Sequence, residues 1–144
     1  MGLDQMAYKT KDERASGAFK MPGDDGDDSN PIESEQLAQW RKHPDLHGWM
    51  RELYRTKGGN VLPLGEDGDT YMHEEFNAGE GVELTLPDLD DLEKAVRNRT
   101  LPHTKGFFFA ESCPDEDEPG DLKFIMRART AIAEGYRVYY TSWW

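Results

Sequence analysis

Of the 144 residues, 29 are acidic and 17 basic, a net charge of −12. That balance excludes general affinity for nucleic acid or anionic lipid, which attract basic surfaces. Hydrophobic residues make up only 36%, but aromatics reach 11%, more than a disordered acidic chain carries, so the composition predicts one folded domain with its polar excess in loops.

The single Cys113 rules out an internal disulfide, and no run approaches the ~18 apolar residues of a membrane span. The opening residues lack the charged and apolar regions of a signal peptide, and Met6 stands where a myristoylation motif needs Ser or Thr. The expected setting is cytoplasmic, with no membrane partner.

Leu3 to Lys9 reads as a first strand, with Leu3, Gln5 and Ala7 on one face and Asp4, Met6 and Tyr8 on the other. Asp4 has two readings, a solvent-facing strand end or a buried carboxylate paired with His47 or an arginine of the next helix. Residues 10–35 are charged and rich in Gly and Pro, which predicts a mobile acidic loop insertion. Its Asp24–Asp28 run falls short of a calcium loop, because the sixth position from Asp24 holds Ser29 where the pattern needs Gly.

A lead-in helix starting at Pro31 or Ser34 and running through Gln39 is expected before the central segment, Trp40 to Arg55. There Pro44 opens a helix at its first position, Leu46, Trp49/Met50 and Leu53 form an apolar stripe, and Gly58-Gly59 caps its end. Val61–Leu64 and Thr70–Met72 are short strand candidates. Val82–Thr85 is a strand running into a helix signalled by Thr85 and Asp88 as a capping box and by Leu84 and Leu89 as a hydrophobic staple; Leu101-Pro102 ends it.

Phe107–Phe109 reads as a buried strand and Asp115–Pro119 as an acidic loop. From Gly120 a last helix carries Leu122, Ile125, Ala128/Arg129 and Ile132, with Gly135 as its stop, and Tyr136–Trp144 ends the chain as a strand. The sum is a single-domain α+β fold, a mixed sheet with about three main helices packed on it. Late hydrophobic strands are expected at its centre and the first strand near an edge, with any parallel crossover right-handed.

Four segments together, Met1–Asp4, the block Trp40-Arg-Lys-His-Pro…Leu46-His-Gly-Trp-Met50, Gly106–Phe109 and Tyr139-Tyr-Thr-Ser-Trp-Trp144, resemble a family of small uncharacterised proteins of tailed phages and prophage-bearing bacteria. The likeness covers most of the chain except residues 10–35 and 65–80. Relatives tend to carry Met-Tyr where this chain has Gln5 and Met6. The resemblance implies a phage accessory protein acting in the cytoplasm of its bacterial host, and brings no activity, cofactor or catalytic residue with it.

Chemistry-bearing motifs are weak. His43 and His47 have metal-ligand spacing, but Pro44 between them puts His43 at or before the helix start, and His73-Glu-Glu75 is the only third-ligand source; no metal or cofactor is expected. Cys113 stands among carboxylates, the reverse of the electropositive setting that activates a thiol. Ser112 and Ser142 lack a hydrolase elbow, and no phosphate-cradling glycine loop is present.

The stretch 40–58 inverts the overall sign, carrying Arg41, Lys42, Arg51, Arg55 and Lys57 against Asp45 and Glu52. These cations, with Arg127, Arg129 and Arg137, either neutralise internal carboxylates or line a binding place walled by Trp40, His47, Trp143 and Trp144. Adjacent Trp143 and Trp144 on a strand point to opposite faces, so one of them is available for contact.

Three functions fit. The first is a non-enzymatic binder or inhibitor of a bacterial host protein, using Trp40, Arg41, His47, Trp49, Arg51, Arg55, Trp143 and Trp144. The second is a small enzyme or anionic-ligand binder using Arg41, His47, Arg51 and Asp4. The third is an acidic mimic of nucleic acid.

Overall fold

A computed structural model of the chain describes residues 3–20, 31–59, 69–70, 80–102, 105–106 and 113–143. The alternation at the start forms β1 (Asp4–Thr10), with Leu3, Gln5 and Ala7 buried and Asp4, Met6 and Tyr8 part-exposed on the opposite face. Then come β2 (Ala18–Lys20), β3 (Glu35–Arg41), α1 (Pro44–Thr56), β4 (Asp69–Thr70), β5 (Glu80–Leu84), α2 (Leu86–Arg97), β6 (Lys105–Gly106), α3 (Pro114–Ala133) and β7 (Arg137–Trp143).

The fold is single-domain α+β. Its five-stranded sheet has the order β2-β5-β7-β1-β3, with β7 at the centre as the β-forming run Val138–Tyr140 demands and β1 one strand in from the β3 edge. The expectation of a mixed sheet is corrected: every pairing in this sheet is antiparallel, and the parallel pair among the described residues is the separate two-residue ladder of β4 with β6. Val61–Leu64, Met72, Phe107–Phe109 and Trp144 lie outside the described residues.

Helix boundaries follow local chemistry. Pro44 and Pro114 sit in the first turns of α1 and α3, and Asp88 of α2 accepts hydrogen bonds from the N–H and hydroxyl of Thr85, both at 2.8 Å. Each helix closes in the same double hydrogen-bonded turn through a left-handed residue: Gly58 (φ 103°), Arg99 (φ 55°) and Gly135 (φ 92°). The following N–H groups of Gly59, Thr100 and Tyr136 reach back to Tyr54, Ala95 and Ala131 at 2.8–3.0 Å.

Two expectations fail on exposed polar sequence. Residues 35–41 form edge strand β3, where a lead-in helix was expected, and most of its side chains stay in solvent. Asp115–Pro119 is helical, because Pro114 starts α3 and Asp115, Glu116 and Asp117 favour the positive end of its dipole.

One sheet face packs against the helices. Ala7, Trp40, Val82, Leu84, Val138 and Tyr140 meet Leu46 and Met50 of α1, Leu89, Leu92 and Val96 of α2, and Phe124, Ile125 and Ala128 of α3. The opposite face is roofed at one end by residues 11–17 and 31–34, which belong to the stretch 10–35 read above as a mobile acidic loop insertion. Ala15 is fully buried there, and Gly17 exchanges two hydrogen bonds with Glu83, at 2.8 and 3.0 Å. Under this roof Tyr139 stacks on Tyr8 and meets Phe19 edge-on, both at 5.4 Å. Phe19 also covers Gly81, where an added Cβ would fall 2.6 Å from the ring. Asp24–Asp28 lies outside the described residues.

Candidate functional site

Between β3 and α1 the chain turns on Lys42, a left-handed residue (φ 60°) whose N–H bonds Leu3 O at 2.8 Å. The turn delivers His43 as the N-cap of α1 and points its ring inward. Gln5 clamps it from β1, donating Nε2 to His43 O and accepting the His43 N–H, each at 2.9 Å. His43 Nε2 lies 2.9 Å from Asp121 Oδ2, and Asp121 Oδ1 accepts Trp40 Nε1–H at 2.9 Å. His43 Nδ1 stands 3.5 Å from Asp117 Oδ2.

Asp121 is the buried carboxylate that Asp4 was a candidate to be, and two donors from other elements offset its desolvation. Asp4 belongs to the opposite face, with a 45% exposed side chain. The signal for Asp121 was its place on the buried stripe Asp121, Phe124, Ile125, Ala128 and Ala131, one position off the stripe expected from Leu122.

A shallow cleft of ≈ 40 Å³ opens beside this dyad, where Asp117, Glu118 and Arg99 surround His43 and Asp121. Both His43 nitrogens already face carboxylates and its side chain is 3% exposed, so the ring has no open position for a substrate proton. Arg99 is engaged by Asp115 at 2.6 Å and Glu118 at 3.5 Å.

One turn further along α1, His47 is wholly buried with Nδ1 2.9 Å from the Tyr140 hydroxyl. Burial, helped by the Arg51 charge, pushes its pKa down to about 3. Burial drives the Tyr140 hydroxyl upward as well. His43 and His47 therefore serve different partners. Among the described residues no group of three or more His, Cys, Asp or Glu side chains is set to hold a metal; His73–Glu75 lies outside them. Cys113 is free and exposed at the N-cap of α3.

The helix-free sheet face presents a different arrangement. Asp4 is the register partner of Arg41 on β3 and of Trp143 on β7, so the three side chains stand in one row. Trp143 is 66% exposed. Arg41 is 73% exposed, with its Nε 3.8 Å from Asp4 Oδ1, too long and too wet to hold the guanidinium. Met6, Gln39 and Thr141 form the next row on the same face.

The expected site thus divides. Arg41 and Trp143 are brought to one face, on either side of Asp4. Trp40 is sealed in the core against Phe124, His47 and Arg51 are buried beneath the sheet, and Trp49 packs part-buried on the core. Arg55 is exposed on α1 and paired with Glu52 at 2.8 Å. The cluster of Arg41, His47, Arg51 and Asp4 does not assemble, because β1 and β3 stand between its two halves. Other cations serve internal pairs: Lys57 with Asp88, Arg129 with Asp90 and Glu93, Arg137 with Glu83.

Compared with protein-family models, with curated proteins and with solved structures, the chain matches none. Among the described residues, no helix is long and apolar enough to cross a membrane.

Proposed function

We propose that this chain is a non-enzymatic binding protein that engages a protein partner through the helix-free sheet face at Arg41, Asp4 and Trp143. The observation that carries the reading is the shared register of these residues, which sets an exposed indole and a loosely held guanidinium on either side of Asp4 on rigid strands. Trp and Arg are the side chains most often found anchoring protein interfaces, and strands hold them at little further entropic cost. The buried His43–Asp121 dyad adds contrast, since its groups are spent on one another.

The resemblance to phage and prophage proteins makes a bacterial host protein in the cytoplasm the partner of choice, with inhibition of that protein as the outcome. The test is capture of host proteins by the wild-type chain and by Trp143→Ala and Arg41→Ala variants of unchanged melting temperature. A stoichiometric partner retained by the wild type and lost by both variants supports the proposal. Equal retention by all three chains overturns it.

A further inference from the structure

The same corner of the sheet carries a second recognition element in its backbone. β3 is an edge strand of the five-stranded sheet. The bond from Lys42 N–H to Leu3 O sets the phase of its ladder with β1, so Trp40 and Ala38 turn their peptide groups toward β1 while Gln39 and Arg41 turn theirs outward. The two halves of this edge are treated differently. At Leu37 a bulge breaks the register, and Arg127 of α3 reaches over to donate Nη1–H to Leu37 O at 3.2 Å. Bulges and covering cations are how natural sheets blunt an edge against further pairing. Beyond the bulge, among the described residues, nothing comparable protects Gln39–Arg41, where the Gln39 and Arg41 side chains are exposed and Trp40 points into the core.

Charge selects the occupant. Arg41 and Lys42, both exposed, stand at this open half, with Arg127 beside it at the bulge, and Asp4 is the opposing carboxylate at 3.8 Å from Arg41. The rest of the body is strongly acidic. We infer that Gln39–Arg41 accepts an extended acidic segment of a partner protein as an added antiparallel or parallel strand, with Arg41 and Lys42 reading its carboxylates. This inference rests on the proposed binding function and names the chemistry of the partner segment. Main-chain hydrogen bonds would supply a sequence-tolerant part of the affinity, and the cations its preference. A second copy of this chain is the less fitting occupant, because the bulge at Leu37 and the Arg127 cap interrupt a full-length β3–β3 ladder.

The test uses the full chain, isotope-labelled, titrated with a short capped peptide of alternating Glu and Val and with its Lys–Val counterpart. Expected are amide shifts and slowed exchange centred on Gln39 and Arg41, with the acidic peptide bound about tenfold or more tightly. Gln39→Pro removes one outward N–H at a site where an edge strand tolerates proline, so it should abolish the shifts while leaving the melting temperature within a few degrees. Arg41→Glu should reverse the preference between the peptides. Shifts away from Gln39–Lys42, equal binding of the two peptides, or a concentration-dependent dimer that occupies this edge would overturn the inference. A host partner lost with Trp143→Ala but kept with Gln39→Pro would overturn the added strand alone and leave the binding face standing. A partner kept by both variants would remove the binding face as well.

Discussion

His43 Nε2 and Asp121 Oδ2 meet at 2.9 Å across 78 positions of sequence, tying the start of α1 to the second turn of α3. Both groups are buried, and Trp40 Nε1–H completes the carboxylate from β3. Asp121→Leu orphans an indole N–H and an imidazole together, and should cost about 3–5 kcal/mol, in the range for breaking a buried pair from one side. Trp40→Phe loses a single hydrogen bond to a charged acceptor and should cost about 1.5–3 kcal/mol. Urea unfolding of the two single variants and the double variant checks both numbers. Additive losses would show that the three groups do not act as a network.

His47 gives stability a definite pH dependence. Folded His47 stays neutral down to about pH 3, while in the unfolded chain it takes up a proton near 6.5. Between those values the unfolded state holds the extra proton, so stability falls as pH falls, by about 1.4 kcal/mol per unit once well below 6.5. Carboxylates held low in the fold, such as Asp88, where burial alone would raise it but the bonds to Lys57 and Thr85 together outweigh that, act in the same direction but in a more acid range. His47→Gln should be less stable at neutral pH and flatter between about pH 6 and 4.5. Denaturant titrations at a series of pH values read the difference, and parallel curves for the two proteins would refute it.

Asp88 performs two tasks at the β5–α2 junction. It accepts the Thr85 N–H and hydroxyl, and it pairs with the Lys57 ammonium that follows α1, which also donates to Glu83 O. Asp88→Ala should cost about 1–2 kcal/mol, the upper part of the range for a lost cap, because a mostly buried cation loses its partner as well. Lys57→Ala should cost less, and the double variant should fall short of the sum by about 0.5 kcal/mol or more. Thermal melts of the three chains decide it.

What could be read from the sequence was whatever local chemistry alone determines. α2 announced itself through Thr85, Asp88 and its Leu84–Leu89 staple, and β1 through an alternation that one buried face enforces. β3 and the first turns of α3 were misjudged because an edge strand and a helix start both keep their side chains in water, which erases the hydrophobic period. For α3 the usable signal was Pro114 followed by the acidic run Asp115–Glu118. The candidate face was half legible. Trp143 and Arg41 were singled out, but their common neighbour Asp4 depends on strand order, and the Asp121 partnership joins residues 78 and 81 positions apart. Trp40, His47 and Arg51 were grouped with them because closeness in sequence says nothing about which side of a sheet a side chain takes.

Lys42 and Arg99 are the two described non-glycine residues with positive φ, at 60° and 55°; Lys42 precedes His43 in the chain and Arg99 lines the cleft beside it. Lys42 makes the turn that aims His43 inward, and Arg99 closes α2 where its guanidinium meets Asp115. A left-handed conformation costs an L-residue roughly 1–2 kcal/mol, and a β-branched side chain suffers most. Lys42→Val and Arg99→Val should therefore each lose about 1–3 kcal/mol. Lys42→Gly and Arg99→Gly relieve the strain but loosen the unfolded chain, so both should fall within about 1 kcal/mol of the wild type. Arg99→Gly should be the less favourable of the two, by the small worth of an exposed ion pair. Equal effects of valine and glycine at either position would mean that the backbone there is not held left-handed in solution, and the inward aim of His43 would then need another cause.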